Sequence, residues 1–301
     1  MNQVEQSVTE YVDEVWEDVV ADIEQLVSYP SVAVAADAEP GAPFGRPVRD
    51  ALDCALGIAQ KLGYQTSDDE GFVGIADIPG RGDKQLATIC HVDVVPAGPG
   101  WNTDPFAMAR REGWLLGRGV IDDKGPAVLS LYAGAYLLKH GIVPRYTFRA
   151  LLGCDEEVGM SDVHHYLENY ADPDFLFTPD AEFPVCNAEK GQFGATFVSP
   201  KIDGGRIVSW SGAEASNAIP SQSICELAIA ADELPAPVEN ADRLEITALD
   251  NGHAQIFAHG IGGHASMPEG TINAVGLIVA YLREAEDAFG ARRRASADAC
   301  R

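Results

Sequence analysis

LATICHVD (86–93), TFRALLGCDEE (147–157) and FLFTPD (175–180) are the stretches whose reading decides the fold. Each opens with a short apolar run of the kind that forms a buried strand, and each ends on imidazole or carboxylate side chains. Between the first two lie WLLGRG (114–119) and a helical stretch from Pro126 to His140, with Val128, Leu131, Ala135 and Leu138 on one side. An acidic helical segment around 161–169 separates the second from the third. Strand, loop and helix in alternation predict an α/β domain with a largely parallel sheet and flanking helices.

Working outward, residues 4–28 place Val8, Val12, Val15, Val19, Ile23 and Leu26 at helical spacing until Tyr29-Pro30 stops the pattern. A second helix is expected from Val48 to Leu62, closed by Gly63, and FVGIADI (72–78) alternates as a strand does. Beyond Gly191 the character changes. ATFVS, RIVSW, SICELAIA, RLEITAL and HAQIFAHG read as short strands ahead of one helix from Thr271 to about Phe289, a smaller α+β domain. The expected organisation is a first domain over 1–190, a second over 191–290, and a basic, apolar-poor tail ARRRASADACR over 291–301. No internal repeat is evident.

Composition narrows the partners. The chain has 301 residues, 46% of them hydrophobic, and 46 acidic against 21 basic side chains give a formal charge of -25. Such a field disfavours nucleic acid or an anionic membrane as partner. Six cysteines are scattered singly, with no CxxC pair, which fits a reducing cytoplasm better than a disulfide scaffold. The first residues lack the basic and apolar regions of a signal peptide, and no apolar run reaches the ~18 residues of a membrane span. A soluble cytoplasmic protein is expected; monomer and homodimer both stay open.

The chemistry sits at the strand ends. His91 and Asp93 follow the first strand, Glu156 and Glu157 the second, and Asp180 the third. The carboxyl ends of parallel strands share one edge of an α/β sheet, which is where ligands bind, and Asp122 and Asp123 at the helix entry can reach that edge. One imidazole among several carboxylates is unstable without a cation, because like charges raise one another's pKa. Zinc accepts this donor set, and a carboxylate can bridge two ions. An aspartate two residues after a ligating histidine can accept its other ring N–H. Adjacent glutamates point in different directions, so one can ligate while the other handles protons. Taken singly, the HxD is a chance pairing, the DD a helix entry with an N-cap, the EE surface charge and Asp180 a turn residue; their order at successive strand ends points to a metal.

The strings HVDVVPAGPGWNTDPF, GRGVIDDKGP, GCDEEVGMSD and TPDAEFPVCNAEKG, with GIGGHASMPEGTINAVGL further on, resemble the dinuclear zinc dipeptidases of the aminoacylase, acetylornithine deacetylase and succinyl-diaminopimelate desuccinylase metallopeptidase superfamily. PDAEFP points to the PepV-like branch. The resemblance implies a metal domain with a smaller lid, and two zinc ions per complete site, with manganese or cobalt as substitutes. It implies that His91 and Asp180 bind one ion, Glu157 the other, and Asp122 both. Asp93 would orient His91, and Glu156 would be the general base for a metal-bound hydroxide that attacks a dipeptide. The Asp122–Asp123 peptide is expected to be cis. His264 would stabilise the oxyanion and contact substrate, and Asn217 would bind substrate. A deacylase of N-acyl or N-succinyl amino acids, and a non-catalytic metal-binding fragment, are the alternative expectations.

Relatives of this kind continue further, to a C-terminal histidine that completes the second zinc site and an arginine that grips the substrate carboxylate. This sequence shows neither, so the expectation is a C-terminally truncated or frame-shifted chain with an incomplete second site. His140, His164, His165, His253 and His259 all have ordinary explanations in helix or strand contexts.

Overall fold

The computed structural model describes residues 3–286, apart from 99, 182–183, 189–190, 192–194, 197, 199–204 and 213–217. The tail 291–301 and Asn217 therefore lie outside the described residues, as does part of the expected ATFVS strand. The chain divides into two compact units, Met1–Asn187 and Ala188–Arg301.

In the first unit the elements are α1 (Gln3–Val27), α2 (Arg46–Lys61), β1 (Gln65–Asp69), β2 (Val73–Ile78), β3 (Gln85–His91), β4 (Ala109–Arg111), β5 (Trp114–Leu116), α3 (Lys124–Lys139), β6 (Thr147–Gly153), α4 (Ser161–Asn169) and β7 (Phe175–Phe177). β4 and β5 form a hairpin, and the other strands make one sheet in the order β1-β2-β6-β3-β7. Four of the five run in one direction and β2 alone opposes them. The two parallel pairings, β3 with β6 and β3 with β7, put the ends of those three strands side by side, with His91 opposite Gly153.

Side-chain alternation assigns the two faces of this sheet. Ala76 and Ile78 of β2 join Phe148, Ala150 and Leu152 of β6 in the main core, packed with α1, α2 and α3. Val73 and Ile75 point the other way and meet Leu151 and Tyr166 of α4. On α1 the buried residues Val19, Val20, Ile23, Leu26 and Val27 form one stripe, which seats it against α2 and α3. α3 begins at Lys124, two residues before the expected Pro126, because Lys124 and Gly125 are buried in its first turn. The Lys124 ammonium donates to the Tyr29 carbonyl at 2.7 Å, tying the start of α3 to the segment after α1.

The second unit contains β8 (Ile207–Ser211), β9 (Ala218–Ile219), β10 (Gln222–Leu227), β11 (Leu244–Ala248), β12 (Ala254–His259), β13 (Gly263–His264) and α5 (Ala274–Glu284). Four strands form an antiparallel sheet in the order β11-β12-β10-β8. α5 covers β10 and β12, and Cys225, Leu227, Ile256, Ile278 and Tyr281 fill the core between them. The helix starts at Ala274 instead of Thr271 because Asn273 caps it, its side-chain oxygen accepting from Gly276 N at 3.1 Å. No helix among the described residues is long and apolar enough to cross a membrane.

Candidate metal centre

At the C-terminal edge of β3, His91 is 2% exposed with its ring aimed into a group of carboxylates. Its Nε2 lies 3.1 Å from Asp122 Oδ1, 3.6 Å from Asp180 Oδ2 and 3.8 Å from Glu156 Oε2. On its other side Nδ1 is 2.9 Å from the backbone carbonyl of Asp93 and 3.3 Å from that residue's carboxylate. The main-chain oxygen is thus the nearer acceptor for Nδ1–H, which leaves Nε2 free to ligate. The Asp93 carboxylate, fully buried, is turned toward the loop after β6, where it accepts from Glu156 N at 3.3 Å and Glu157 N at 3.1 Å.

The local chain explains this convergence. After β3 the backbone at 92–94 is held beside Ser31, whose hydroxyl donates to Val92 O at 2.6 Å and whose carbonyl accepts from Val94 N at 3.0 Å. Asp123 occupies the N-cap position of α3 but makes no side-chain cap bond; its Oδ2 accepts from His91 N at 3.0 Å and pins the helix entry to the strand end. The Asp122–Asp123 peptide is cis, as the resemblance implies. Two sets of three side chains each offer ligand atoms within 4.8 Å of one another: His91 with Asp122 and Glu157, and His91 with Asp123 and Asp180.

Electrostatics set this group apart. Burial would lower the pKa of His91, yet Asp122, Asp180 and Asp93 together hold it far above its ordinary value. Burial, then the nearby Asp180, raises Asp123 to about 8, against the opposing pull of His91 and a weak contact from the Cys90 thiol. Burial and Asp122 raise Glu157 to about 7, and burial raises Glu156 as well. Asp123 Oδ1 is buried with no hydrogen-bond partner of good geometry among the described residues. A donor set of one imidazole and several carboxylates, with too little positive charge and one buried oxygen unsatisfied, fits a divalent cation.

Asp123, which the sequence places at this edge without a role of its own, and Ser31, which nothing in the sequence marks, both contribute to the site. The adjacent acids at 122 and 123 were a visible signal for the first, whereas nothing near Ser31 distinguishes it from any loop serine. In the second unit His264 lies on β13, exposed, with Nδ1 2.6 Å from Ser266 Oγ. Three of the other histidines have local carboxylate partners: His165 meets Asp69 at 3.1 Å, His253 meets Glu226 at 2.7 Å and His259 meets Glu245 at 2.9 Å.

Comparison with known proteins adds an independent line. The profile of the family described as "Peptidase family M20/M25/M40" matches residues 87–283. "Putative dipeptidase YtjP" of Bacillus subtilis (strain 168) is 32% identical over 280 residues, covering 90% of this chain and 60% of the relative. "Beta-Ala-Xaa dipeptidase" of Lactobacillus delbrueckii subsp. lactis is 31% identical over 276 residues, covering 88% of this chain and 58% of the relative. The chain thus spans about 60% of the length of these curated relatives. Among solved structures, human carnosine dipeptidase 1 shares the fold over 58% of this chain and 41% of its own, with a TM-score of 0.50 at 21% identity.

Proposed function

The chain belongs to peptidase family M20/M25/M40, and from that premise we propose that it is a metal-dependent hydrolase of dipeptides. The observation that carries this reading is the ring of carboxylates from Asp122, Glu156 and Asp180 around His91 Nε2 at the ends of parallel strands. His91, Asp180 and Asp122 would hold one zinc ion, and Asp122 with Glu157 a second; manganese or cobalt suits the same donors. When bound, such ions supply Lewis acidity to the scissile carbonyl and make water a stronger acid. Glu156 takes a proton from water as the new C–O bond forms, then returns it to the amine nitrogen as the C–N bond breaks, giving two free amino acids. Asp93 holds His91 and the backbone of both glutamates in place. His264 would stabilise the oxyanion and Asn217 would hold the substrate, both as the family resemblance implies.

Dipeptides are favoured over N-acyl or N-succinyl amino acids because both relatives above carry dipeptidase names. Buried free thiols at Cys54, Cys90, Cys154 and Cys225 suit a cytoplasmic home. The test is release of amino acids from simple dipeptides by the purified chain with added zinc or manganese, in parallel with acylated amino acids. The expected result is metal-dependent dipeptide cleavage that Glu156→Gln reduces by about 10²-fold or more without loss of bound metal. Equal turnover by that variant would remove Glu156 from the mechanism, and cleavage of acylated substrates alone would favour the deacylase.

A further inference from the structure

Four consecutive backbone N–H groups follow the end of β6, and two buried carboxylates divide them. Asp162 Oδ2 accepts from Cys154 N at 2.6 Å and Asp155 N at 3.1 Å, while Asp93 accepts from Glu156 N and Glu157 N. Successive N–H groups point to opposite sides in a strand. Two neighbours converging on one oxygen therefore turn the chain out of extended geometry at the point where the glutamates begin. Asp162 is 1% exposed, and its Oδ1 accepts from Val163 N at 2.7 Å in the first turn of α4. The Asp155 side chain closes the loop, accepting from Ser161 N at 3.0 Å and Ser161 Oγ at 2.5 Å.

β6 makes room for this carboxylate. A methyl group on Gly153 would lie 2.5 Å from Asp162 Oδ2, a separation that real side chains do not sustain. The last residue of the strand is thus small where Asp162 must approach the backbone.

Resting on the metal-site reading above, we propose that Asp162 is a positioning residue: with Asp93 it forms a double carboxylate clamp that fixes the directions of Glu156 and Glu157, without itself reaching metal or substrate. Removing it releases the upstream half of the clamp, so the proton-handling and ligating side chains lose their fixed aim together.

The test is a double-mutant cycle on Gly153→Ala and Asp162→Ala, with Asp162→Asn as the conservative variant, read by amide hydrogen exchange of the metal-free chain, by the absorption spectrum of added cobalt, and by kcat and KM on a dipeptide. In Asp162→Ala, exchange at Glu156 and Glu157 is expected to speed by about tenfold, beyond the Cys154 and Asp155 amides that lose their acceptor, and to speed less in Asp162→Asn, which keeps one side-chain oxygen. The cobalt spectrum shifts, and kcat falls by about ten- to a hundredfold while KM stays within about threefold. Gly153→Ala produces the same changes when Asp162 is present and adds nothing to Asp162→Ala, because its methyl group then has no carboxylate to displace. Native exchange at 156 and 157 in a cooperatively folded Asp162→Ala chain overturns the proposal, as does additivity of the two alanine substitutions. If the native chain cleaves no dipeptide, the functional reading fails by itself, and the exchange arm still decides the clamp.

Discussion

His91 carries the site at the level of single residues, and what surrounds it sets a pH dependence whose sign can be worked out. Asp123 is raised to about 8 and Glu157 to about 7, while His91 is also raised, so the folded metal-free chain keeps protons that the unfolded chain has released. Wherever the folded state binds more protons, stability falls with rising pH. Without metal, Tm is therefore expected to drop as pH rises from about 5 to about 8, and saturating zinc to flatten the dependence by replacing the protons. A metal-free melting temperature that rises across that window would contradict the charge balance described for the site. His91, Asp93, Asp122, Glu156, Glu157 and Asp180 were all legible as candidates, because charge at the end of an apolar run is a local signal. Asp162 was not: a buried carboxylate in the first turn of a helix reads like a surface acid until β6 is seen beside it.

Elements were legible where burial wrote a period into the sequence. β6 begins and ends at the residues the apolar run TFRALLG predicts, and β3 extends LATIC by one residue at each end. β1 was missed because QTSDD is an edge strand with only partial burial, so no alternation of apolar residues marks it. The seating of α3 supplies an element-level prediction. A methyl group on Gly134 would lie 2.0 Å from the Tyr64 hydroxyl and 2.7 Å from the Phe148 ring. That hydroxyl is buried and donates to Leu131 O at 2.6 Å, so it cannot swing aside cheaply. Alanine would gain about 1 kcal/mol of helix propensity, but overpacking costs about 1–3 kcal/mol and the hydrogen bond about 1 kcal/mol more. Gly134→Ala is expected to lower Tm by about 2–8 °C in a thermal melt; an unchanged or raised Tm would show that the ring relaxes.

For the whole molecule, a formal charge of -25 means that cations approach through a long-range favourable field. The association rate of cobalt, followed by stopped-flow absorption, is expected to fall by about tenfold between low and physiological ionic strength. A rate independent of salt would confine the attraction to the site itself. The sequence changes in pattern beyond Gly191, and the chain divides into two compact units, Met1–Asn187 and Ala188–Arg301, each with its own core. Strand order could not be read in this way: the reversal of β2 depends on pairings between segments distant in sequence, which no local pattern encodes. The function proposed above requires a divalent-metal centre built on His91 at the shared edge of β3, β6 and β7. Calorimetric titration of zinc into the native chain and into His91→Ala measures whether such a centre forms. Saturable binding with proton release is expected of the native chain, and loss of that binding in the variant. Equal binding by both chains, or none by a folded native chain, would show that no metal centre is built on His91.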